Sequence, residues 1–456
     1  MTQFVRYALA FLIVLVGANA GAQEAQREMR LTLSECVEVA LTNNASLEQN
    51  KYTVALAEAG VDTRRHQFLP STSMSWSFSR NVSGPREGAI LDPATGTLIQ
   101  TLGESRTGGG QGFGFGNLNI PIYNGQLLSQ LAASKKNLKE VQFDAKATYS
   151  QVVFQVKQNY FQLLQAMRLL EVQQERVRVS EESLRRAETL YEIGSAAILQ
   201  VANARSNLAN LNAQLIQREN AINIARSNLA FNMGLGTDVD IIPAEEEFEI
   251  LPPKFSYNDA LVTAIEQHPS LLADRYGMLA DRDDYTATKR QIYHPLVTAQ
   301  AGYNWSLGKD EDFGGPEDLF LKNYSYTFTI RASMNIFNMG TTNQLKTRRL
   351  QYLRSQELLD QAKRQKAVNV KQRYLNLEQF RRSIEATEVA VQASEENFKL
   401  EEERYNFGGG TFLERLTAQR DLFDARNNLV QAQYNYLIEM ARLENEVGVP
   451  VAGNLE

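Results

Sequence analysis

The sequence has little cysteine, little histidine and no long apolar run after its first residues. Cys36 is the single cysteine among 456 residues, which excludes an intrachain disulfide framework. Polar or charged residues interrupt every later apolar stretch well before the ~20 residues that a membrane-spanning helix needs. The formal net charge is −6, whereas a nucleic-acid partner requires a basic surface. We therefore expect no disulfide scaffold, no spanning helix and no nucleic-acid partner.

Catalytic and cofactor motifs are also missing. The chain has no Walker A loop, no H-E-x-x-H, no G-x-S-x-G and no cysteine pair with metal-ligand spacing. The glycines between 108 and 116 do not match the G-x-G-x-x-G spacing of a dinucleotide-binding loop. The three histidines lie far apart (His66, His268 and His294). We expect no enzyme activity, no cofactor and no metal centre.

The N-terminus indicates export. Arg6 precedes an apolar run from Tyr7 to Val16, which is long enough for a signal peptide but short for a transmembrane helix. Small residues at Ala18 and Ala20 fit the positions before a signal-peptidase cut. This pattern predicts a signal peptide over 1–20, and a second frame ending at Ala22 leaves the cut open by two residues.

The remaining chain repeats itself. The pattern of 31–47 recurs at 255–271, and Pro70 after a helical run recurs as Pro295. Seven landmarks recur at one fixed offset: Tyr191, Gly194, Leu199, Ala204, Leu208, Leu229 and Gly234 correspond to Tyr405, Gly408, Leu413, Ala418, Leu422, Leu443 and Gly448. Order and spacing kept over such a length indicate a tandem duplication. It predicts a first structural repeat over 21–244 and a second over 245–456.

Each repeat has the same predicted order of elements: a helix, two strands, a very long helix, a glycine-containing turn and a returning helix. The first helices are predicted over 33–68 and 257–293, because a proline follows each and cannot continue it. The predicted strands are 71–80, 111–122, 297–307 and 324–336. The predicted long helices are 126–191 and 341–406, each about 100 Å long at ~1.5 Å per residue.

The strands carry a period of two. In 324–336 every even position is apolar or aromatic and every odd position is polar, which predicts a sheet with one apolar and one polar face. The phase slips before Leu118, which predicts a β-bulge. The apolar face could pack in a soluble core or, in an outer-membrane barrel, face lipid. Four strands cannot close a useful barrel, but three chains would contribute twelve.

Together, the signal peptide, the duplicated unit and the Y-x-x-G-x-x-x-x-L turns resemble the TolC family of outer-membrane efflux proteins. The resemblance implies a mixed α and β fold of mainly long helices. It also implies a homotrimer in the outer membrane of a Gram-negative-type bacterium. Its twelve-strand β-barrel would be embedded in outer-membrane lipid and continuous with a twelve-helix α-barrel in the periplasm.

The function implied by the resemblance is that of an exit duct. The chain would form the outer-membrane channel of a tripartite efflux or type I secretion system. Its partners would be a periplasmic adaptor (membrane fusion) protein and an inner-membrane RND, ABC or similar transporter. Two other interpretations remain open at this point: a periplasmic coiled-coil adaptor and a structural envelope protein.

The resemblance also assigns two groups of site residues. The turns would be the periplasmic tips that meet the adaptor; their residues are Gly194, Ser195, Gly408, Gly409 and Gly410. The periplasmic gate would be formed by residues at and beyond the turns, namely Glu414, Thr417, Gln200, Asn203 and Tyr405.

The gate departs from the family pattern. The family's arginine two residues after the second turn glycine is replaced by Gly410, and its acidic partner by Gln200. The charged lock that some family members have is therefore missing here. Three Glu414 carboxylates converging in a narrow pore would repel one another, favour cations and have raised pKa values.

Overall fold

The computed structural model describes residues 27–84, 87–102, 106–236, 239–244, 248–253, 255–308, 317, 321–322 and 324–448. The predicted signal peptide over 1–20 lies outside these residues. The chain divides into two compact units, and each combines segments from both halves of the sequence. The helical unit comprises Met1–Lys51, Asp144–Leu271 and Ala362–Glu456, and the sheet unit comprises Tyr52–Phe143 and Leu272–Gln361.

Eight helices account for most of the described residues. In chain order they are α1 Leu33–Asn43, α2 Ala45–His66, α3 Gly125–Glu192, α4 Ile198–Asn232, α5 Tyr257–Gln267, α6 Pro269–Tyr293, α7 Met339–Asn406 and α8 Phe412–Val447. The helices α3 and α7 have 68 residues each, and their bounds lie within two residues of the prediction. Within the described part of the chain, no helix combines the length and the apolar character that crossing a membrane requires.

The first helix of each half is broken, so the prediction of single helices over 33–68 and 257–293 is wrong. Asn44 separates α1 from α2 in an extended conformation. Its side chain accepts a hydrogen bond from the Ser46 N–H at 2.9 Å, which is the role of an N-cap. His268 separates α5 from α6, because the residue before Pro269 is disfavoured in a helix while proline suits a first helical position.

A short parallel sheet in the helical unit was not predicted. Strand β1 (Arg27–Leu31) pairs in parallel with β6 (Val239–Pro243). Five-residue strands that include charged side chains carry a weak pattern, and their pairing joins segments far apart in the chain. The core beneath them is built on α3, where Tyr160 is fully buried and donates a hydrogen bond to the Leu31 carbonyl at 3.3 Å.

The sheet unit contains a four-stranded antiparallel sheet in the order β2-β5-β7-β8. Its strands are β2 Ser71–Ser83, β5 Arg106–Asn124, β7 Leu296–Gly308 and β8 Tyr324–Ser333. All four predicted strands are confirmed, although β8 ends at Ser333 rather than 336. A hairpin of β3 (Glu87–Leu91) and β4 (Leu98–Leu102), which was not predicted, forms a separate two-stranded sheet.

The predicted bulge and the two faces are both present. The register of β5 against β7 shifts between Phe115 and Leu118, where the sequence pattern loses its phase. The alternating residues of β8 lie on opposite faces, and large apolar side chains of one face are solvent-exposed: Tyr324, Tyr326, Phe328 and Ile330. Such an exposed apolar face needs a cover that the single chain does not supply.

Candidate functional site

The turn between α3 and α4, residues 193–197, is called the first turn. The Gly194 N–H donates to the Tyr191 carbonyl at 2.9 Å, and the Ser195 N–H donates to the Leu190 carbonyl at 2.8 Å. These two bonds make a Schellman motif, which satisfies the last carbonyls of a helix. Gly194 has φ = 72°, the left-handed conformation that such a turn requires.

The turn between α7 and α8, residues 407–411, is called the second turn, and its backbone repeats the first. The Gly408 N–H donates to the Tyr405 carbonyl at 3.1 Å, and the Gly409 N–H donates to the Arg404 carbonyl at 2.9 Å. Gly410 adds a bond to the same Arg404 carbonyl at 3.1 Å. Gly408 has φ = 78°. The sequence prediction of two glycine turns is therefore confirmed as geometry.

Both turns expose large apolar side chains. Ile193 in the first turn is 67% exposed, and Phe407, the residue at the same place in the second turn, is 90% exposed. Leu199 and Leu413, the second residues of α4 and α8, are also exposed. The sequence analysis assigned only the glycines and Ser195 to the tips: it used Leu199 and Leu413 as landmarks of the repeat and missed Ile193 and Phe407. The signal that could have found them is an apolar residue at the same offset in both turns.

A small core lies next to the turns and joins the four helices that end there. Its buried residues are Ala187, Val201, Ala204 and Phe412, with Leu184, Tyr405 and Leu416 packed against them. The rings of Tyr405 and Phe412 are 6.2 Å apart between centroids, at an interplanar angle of 61°. Tyr405 packs against this core in the single chain, and its place in the gate stays a prediction.

Arg415 is the charged residue most deeply buried near the turns. Only 4% of its surface is exposed, and it donates to Ser183 Oγ on α3 at 3.0 Å and to Glu402 Oε1 on α7 at 3.4 Å. Its guanidinium lies 5.7 Å from the centre of the Tyr405 ring. Arg415 therefore ties α8 to both α3 and α7. The sequence analysis missed it, because a charged residue in an apolar stripe gives no sign of where its partners lie.

The α8 N-terminus is closed by a capping box. The Glu414 N–H donates to Thr411 Oγ1 at 3.2 Å, and the Thr411 N–H donates to Glu414 Oε2 at 2.8 Å, a reciprocal arrangement that satisfies two helix-end donors. At the corresponding start of α4, Ala197 provides no side-chain cap. The two turns share a backbone but differ in their side-chain contacts.

The pKa of Glu414 is lowered in the single chain. Hydrogen bonds from the Thr411 backbone N–H and then from the Thr411 hydroxyl hold the pKa of this carboxyl below its ordinary value of 4.5. Both bonds favour the charged form. This lowering belongs to the single chain, in which Glu414 binds the end of its own helix; the rise expected for three convergent Glu414 carboxylates stays a prediction.

The other predicted gate residues are not brought into one cluster. Thr417 and Asn203 are exposed, and Gln200 is partly buried. The Gln200 Oε1 atom is buried without a hydrogen-bond partner in the part of the chain that the structure describes. Thr417 lines a cavity of about 230 Å³ together with Gln419 and Arg176. Among the described residues, no group of three or more His, Cys, Asp or Glu is placed to hold a metal ion.

Solved structures share this fold at low sequence identity. The CmeC outer membrane channel of Campylobacter jejuni superposes with a TM-score of 0.77 at 16% identity, over 93% of this chain and 87% of that one. The open state of the MtrE outer membrane channel of Neisseria gonorrhoeae superposes with a TM-score of 0.72 at 17% identity, over 96% of both chains. Long helices joined to a four-stranded sheet are thus the fold seen in outer-membrane channels.

Sequence comparison identifies the family. The chain belongs to the outer membrane efflux protein family, whose model matches residues 36–235 and 260–449. The outer membrane protein TolC of Vibrio cholerae is 21% identical over 393 residues, which is 85% of this chain and 84% of the relative. The chain is an outer-membrane efflux channel component with a periplasmic extension. Membership decides against the two interpretations left open above, a periplasmic adaptor and a structural envelope protein.

Proposed function

We propose that three copies of the chain form a homotrimeric exit duct. A twelve-strand β-barrel in the outer membrane would be continuous with a twelve-helix α-barrel in the periplasm. The observation that carries the proposal is the open sheet: in the described part of the chain, β2 and β8 each have a neighbour on one side only. Lipid cannot satisfy the backbone groups of such edges, and further copies can pair with them.

The first test of this proposal is the mass of the detergent-solubilised protein. Light scattering with the detergent contribution subtracted should give three times the 51.3 kDa chain, less any signal peptide removed on export. A folded, stable monomer would contradict the proposal, because its apolar sheet face and both strand edges would then be exposed.

We propose further that the two turns contact a periplasmic adaptor, which links the channel to an inner-membrane RND, ABC or similar transporter. The exposed Ile193 and Phe407 support this, because apolar side chains at the tip of a helical hairpin give a partner surface to bury. The turn glycines Gly194 and Gly408 have open space where a side chain would project. A bulky side chain at either position would therefore obstruct a partner without displacing a neighbour in the chain.

The docking proposal is tested by paired substitutions. Phe407→Ser and Ile193→Ser should reduce both export and adaptor crosslinking, while trimer yield and outer-membrane level stay unchanged. The matched control is Val389→Ser, which also removes an exposed apolar side chain from α7 but lies away from the turn. Normal export by both turn variants would contradict docking through the turns and leave the channel assignment in place.

The periplasmic gate is part of the proposed trimeric channel. We propose that Glu414, Thr417, Gln200, Asn203 and Tyr405 line the periplasmic entrance of the trimer and that Glu414 gives it cation preference. Exposed carboxylates arranged in a ring attract cations. Glu414→Gln should lower the cation preference measured in planar bilayers, and an unchanged preference would remove Glu414 from the gate.

The equivalent element order in 21–244 and 245–456 supports an internal duplication of one ancestral unit.

A further inference from the structure

Among the side chains that the structure describes, the polar face of the four-stranded sheet carries almost no charge. One row across the strands consists of hydroxyl and amide side chains: Ser71, Asn119, Gln300 and Thr329 are successive partners in the register. Within this row Gln300 Nε2 donates to Asn119 Oδ1 at 3.4 Å. Neighbouring positions of the same face on β8 are also hydroxyl residues, Ser325 and Thr327.

Arg331 is the exception. It pairs in register with Thr298, which in turn pairs with Pro121, so that it lies on the polar face in the row next to Ser71 and Thr329. Among the side chains that the structure describes on this face, Arg331 is the only charged one. It is exposed, and no ion pair joins it to a carboxylate of the described residues.

The position of Arg331 along the strand places it at one end of the sheet. It stands two residues before the end of β8 at Ser333, and its partner Thr298 stands close to the start of β7 at Leu296. The chain enters β7 from α6 and leaves β8 towards α7. Arg331 therefore lies at the helix-side end of the strands.

We propose that Arg331 forms a ring of three guanidinium groups that concentrates anionic solutes in the barrel lumen. This rests on the proposed trimer, in which the apolar face meets lipid and the polar face lines the lumen. A guanidinium keeps its charge at any physiological pH and binds carboxylates, sulfonates and phosphates in a bidentate manner. The ring attracts these anions locally, because the Debye length is only about 8 Å at physiological salt.

The local potential is measured with a thiol probe beside the ring. Thr298→Cys places the probe opposite Arg331, and the native chain serves as the blank because its one cysteine, Cys36, is buried. Trimers in outer-membrane vesicles are treated with an anionic methanethiosulfonate (ethylsulfonate) and, separately, with a cationic one (ethyltrimethylammonium). The ratio of the two rates reports the potential, since any effect of Arg331 on the thiol pKa accelerates both reactions.

Replacing the charge should change this ratio. We expect Arg331→Gln to lower the anionic-to-cationic rate ratio about fivefold at about 0.01 M salt, and by less at 0.15 M, where screening is stronger. The control Arg331→Lys should keep the ratio within about twofold, since it retains the charge. An unchanged ratio in intact Arg331→Gln trimers would overturn the proposal. It would mean that Arg331 adds no net charge to the lumen, because a neighbouring copy or another part of the chain neutralises it.

A second probe separates this inference from the proposed function. Ile330→Cys lies on the opposite, apolar face, and in a lipid-embedded barrel it should react slowly with both charged reagents. If it reacts as fast as Thr298→Cys, the sheet is not lipid-embedded and the trimeric barrel itself is wrong. If it is protected while the Thr298→Cys ratio ignores Arg331, the barrel stands and only the anion ring fails.

Discussion

The two helical turns have the same backbone and different side-chain contacts. Hydrogen bonds at equivalent positions close both, and left-handed Gly194 and Gly408 end the long helices. The second turn has in addition the Thr411–Glu414 capping box and the buried Arg415. At the first turn Ala197 leaves the start of α4 without a side-chain cap.

The difference shows that the repeated motif keeps the backbone geometry of the turn but does not keep the side chains that stabilise it. The glycine spacing is enough to set the turn, because a Schellman motif needs only backbone groups and one left-handed residue. A capping box and a buried arginine fasten the helix that follows the second turn, and the described residues of the first turn have no counterpart of either. We infer that the first turn opens more readily than the second, and the following predictions test this difference.

The largest effect is expected from Arg415→Met. The change removes hydrogen bonds to Ser183 and Glu402, and losing a buried charged donor should weaken the local structure by about 2 kcal/mol. Amide hydrogen exchange of the second turn should accelerate about thirtyfold, and exchange of the first turn should change little.

The matched control for Arg415→Met is Arg205→Met. Arg205 also pairs with a glutamate, Glu188, at 3.2 Å, but the two side chains are 72% and 40% exposed, and exposed pairs contribute little. Equal effects of the two substitutions would show that the buried contacts of Arg415 do not hold the second turn.

The next largest effect is expected at the turn glycines. Gly194→Ala and Gly408→Ala should each destabilise their own turn by about 1 kcal/mol, the cost of a left-handed non-glycine residue. The two costs should be equal, because both glycines have the same conformation and open space around them. Hydrogen exchange at each turn measures both, and a clear inequality would show that the backbones are less alike than described.

Removing the cap at the second turn and adding one at the first should reverse which turn opens more readily. Thr411→Ala removes the N-cap of α8 and should cost about 1 kcal/mol at the second turn. Ala197→Ser installs one on α4, where Gln200 already stands at the third helical position and can complete a capping box. Amide hydrogen exchange should therefore accelerate at the second turn in Thr411→Ala and slow at the first turn in Ala197→Ser. No change in Ala197→Ser would mean that the missing cap does not loosen the first turn.

The smallest effect is a dependence on pH confined to the second turn. The folded-state pKa of Glu414 lies below its ordinary 4.5, so its contribution is complete above that pH and is lost as the pH falls through the lowered pKa. Gln200, at the equivalent place in the first turn, cannot titrate. Hydrogen exchange corrected for intrinsic rates should show the second turn loosening in acid, and Glu414→Gln should remove that response.

Local features of this chain could be predicted from its sequence. The turn glycines, the four strands and the bulge before Leu118 follow from patterns within a few residues, because turn chemistry and strand periodicity act locally. The family's own pattern located the turns as candidate sites. Glu414 was singled out, but its capping partner Thr411, three residues earlier, was overlooked although the T-x-x-E spacing is a known helix start.

Features set by distant contacts could not be predicted. The β1–β6 pairing joins Arg27 to Val239, and no local pattern specifies that partner. The burial of Arg415 depends on Ser183 of another helix, which the spacing within α8 does not reveal. The break at Asn44 is stabilised by a hydrogen bond from its Nδ2 to the Asn232 carbonyl at 2.9 Å, again a contact between distant segments.

The central claim is that the open edges of the four-stranded sheet are closed by other copies of the chain. Cysteine pairs on the two edge strands test it: Ser73→Cys on β2 is combined in turn with Ser325→Cys, Thr327→Cys or Thr329→Cys on β8. Oxidation of the membrane-embedded protein should yield covalent dimers and trimers for at least one pair and no larger species. Crosslinks formed solely within single chains would contradict the trimeric barrel.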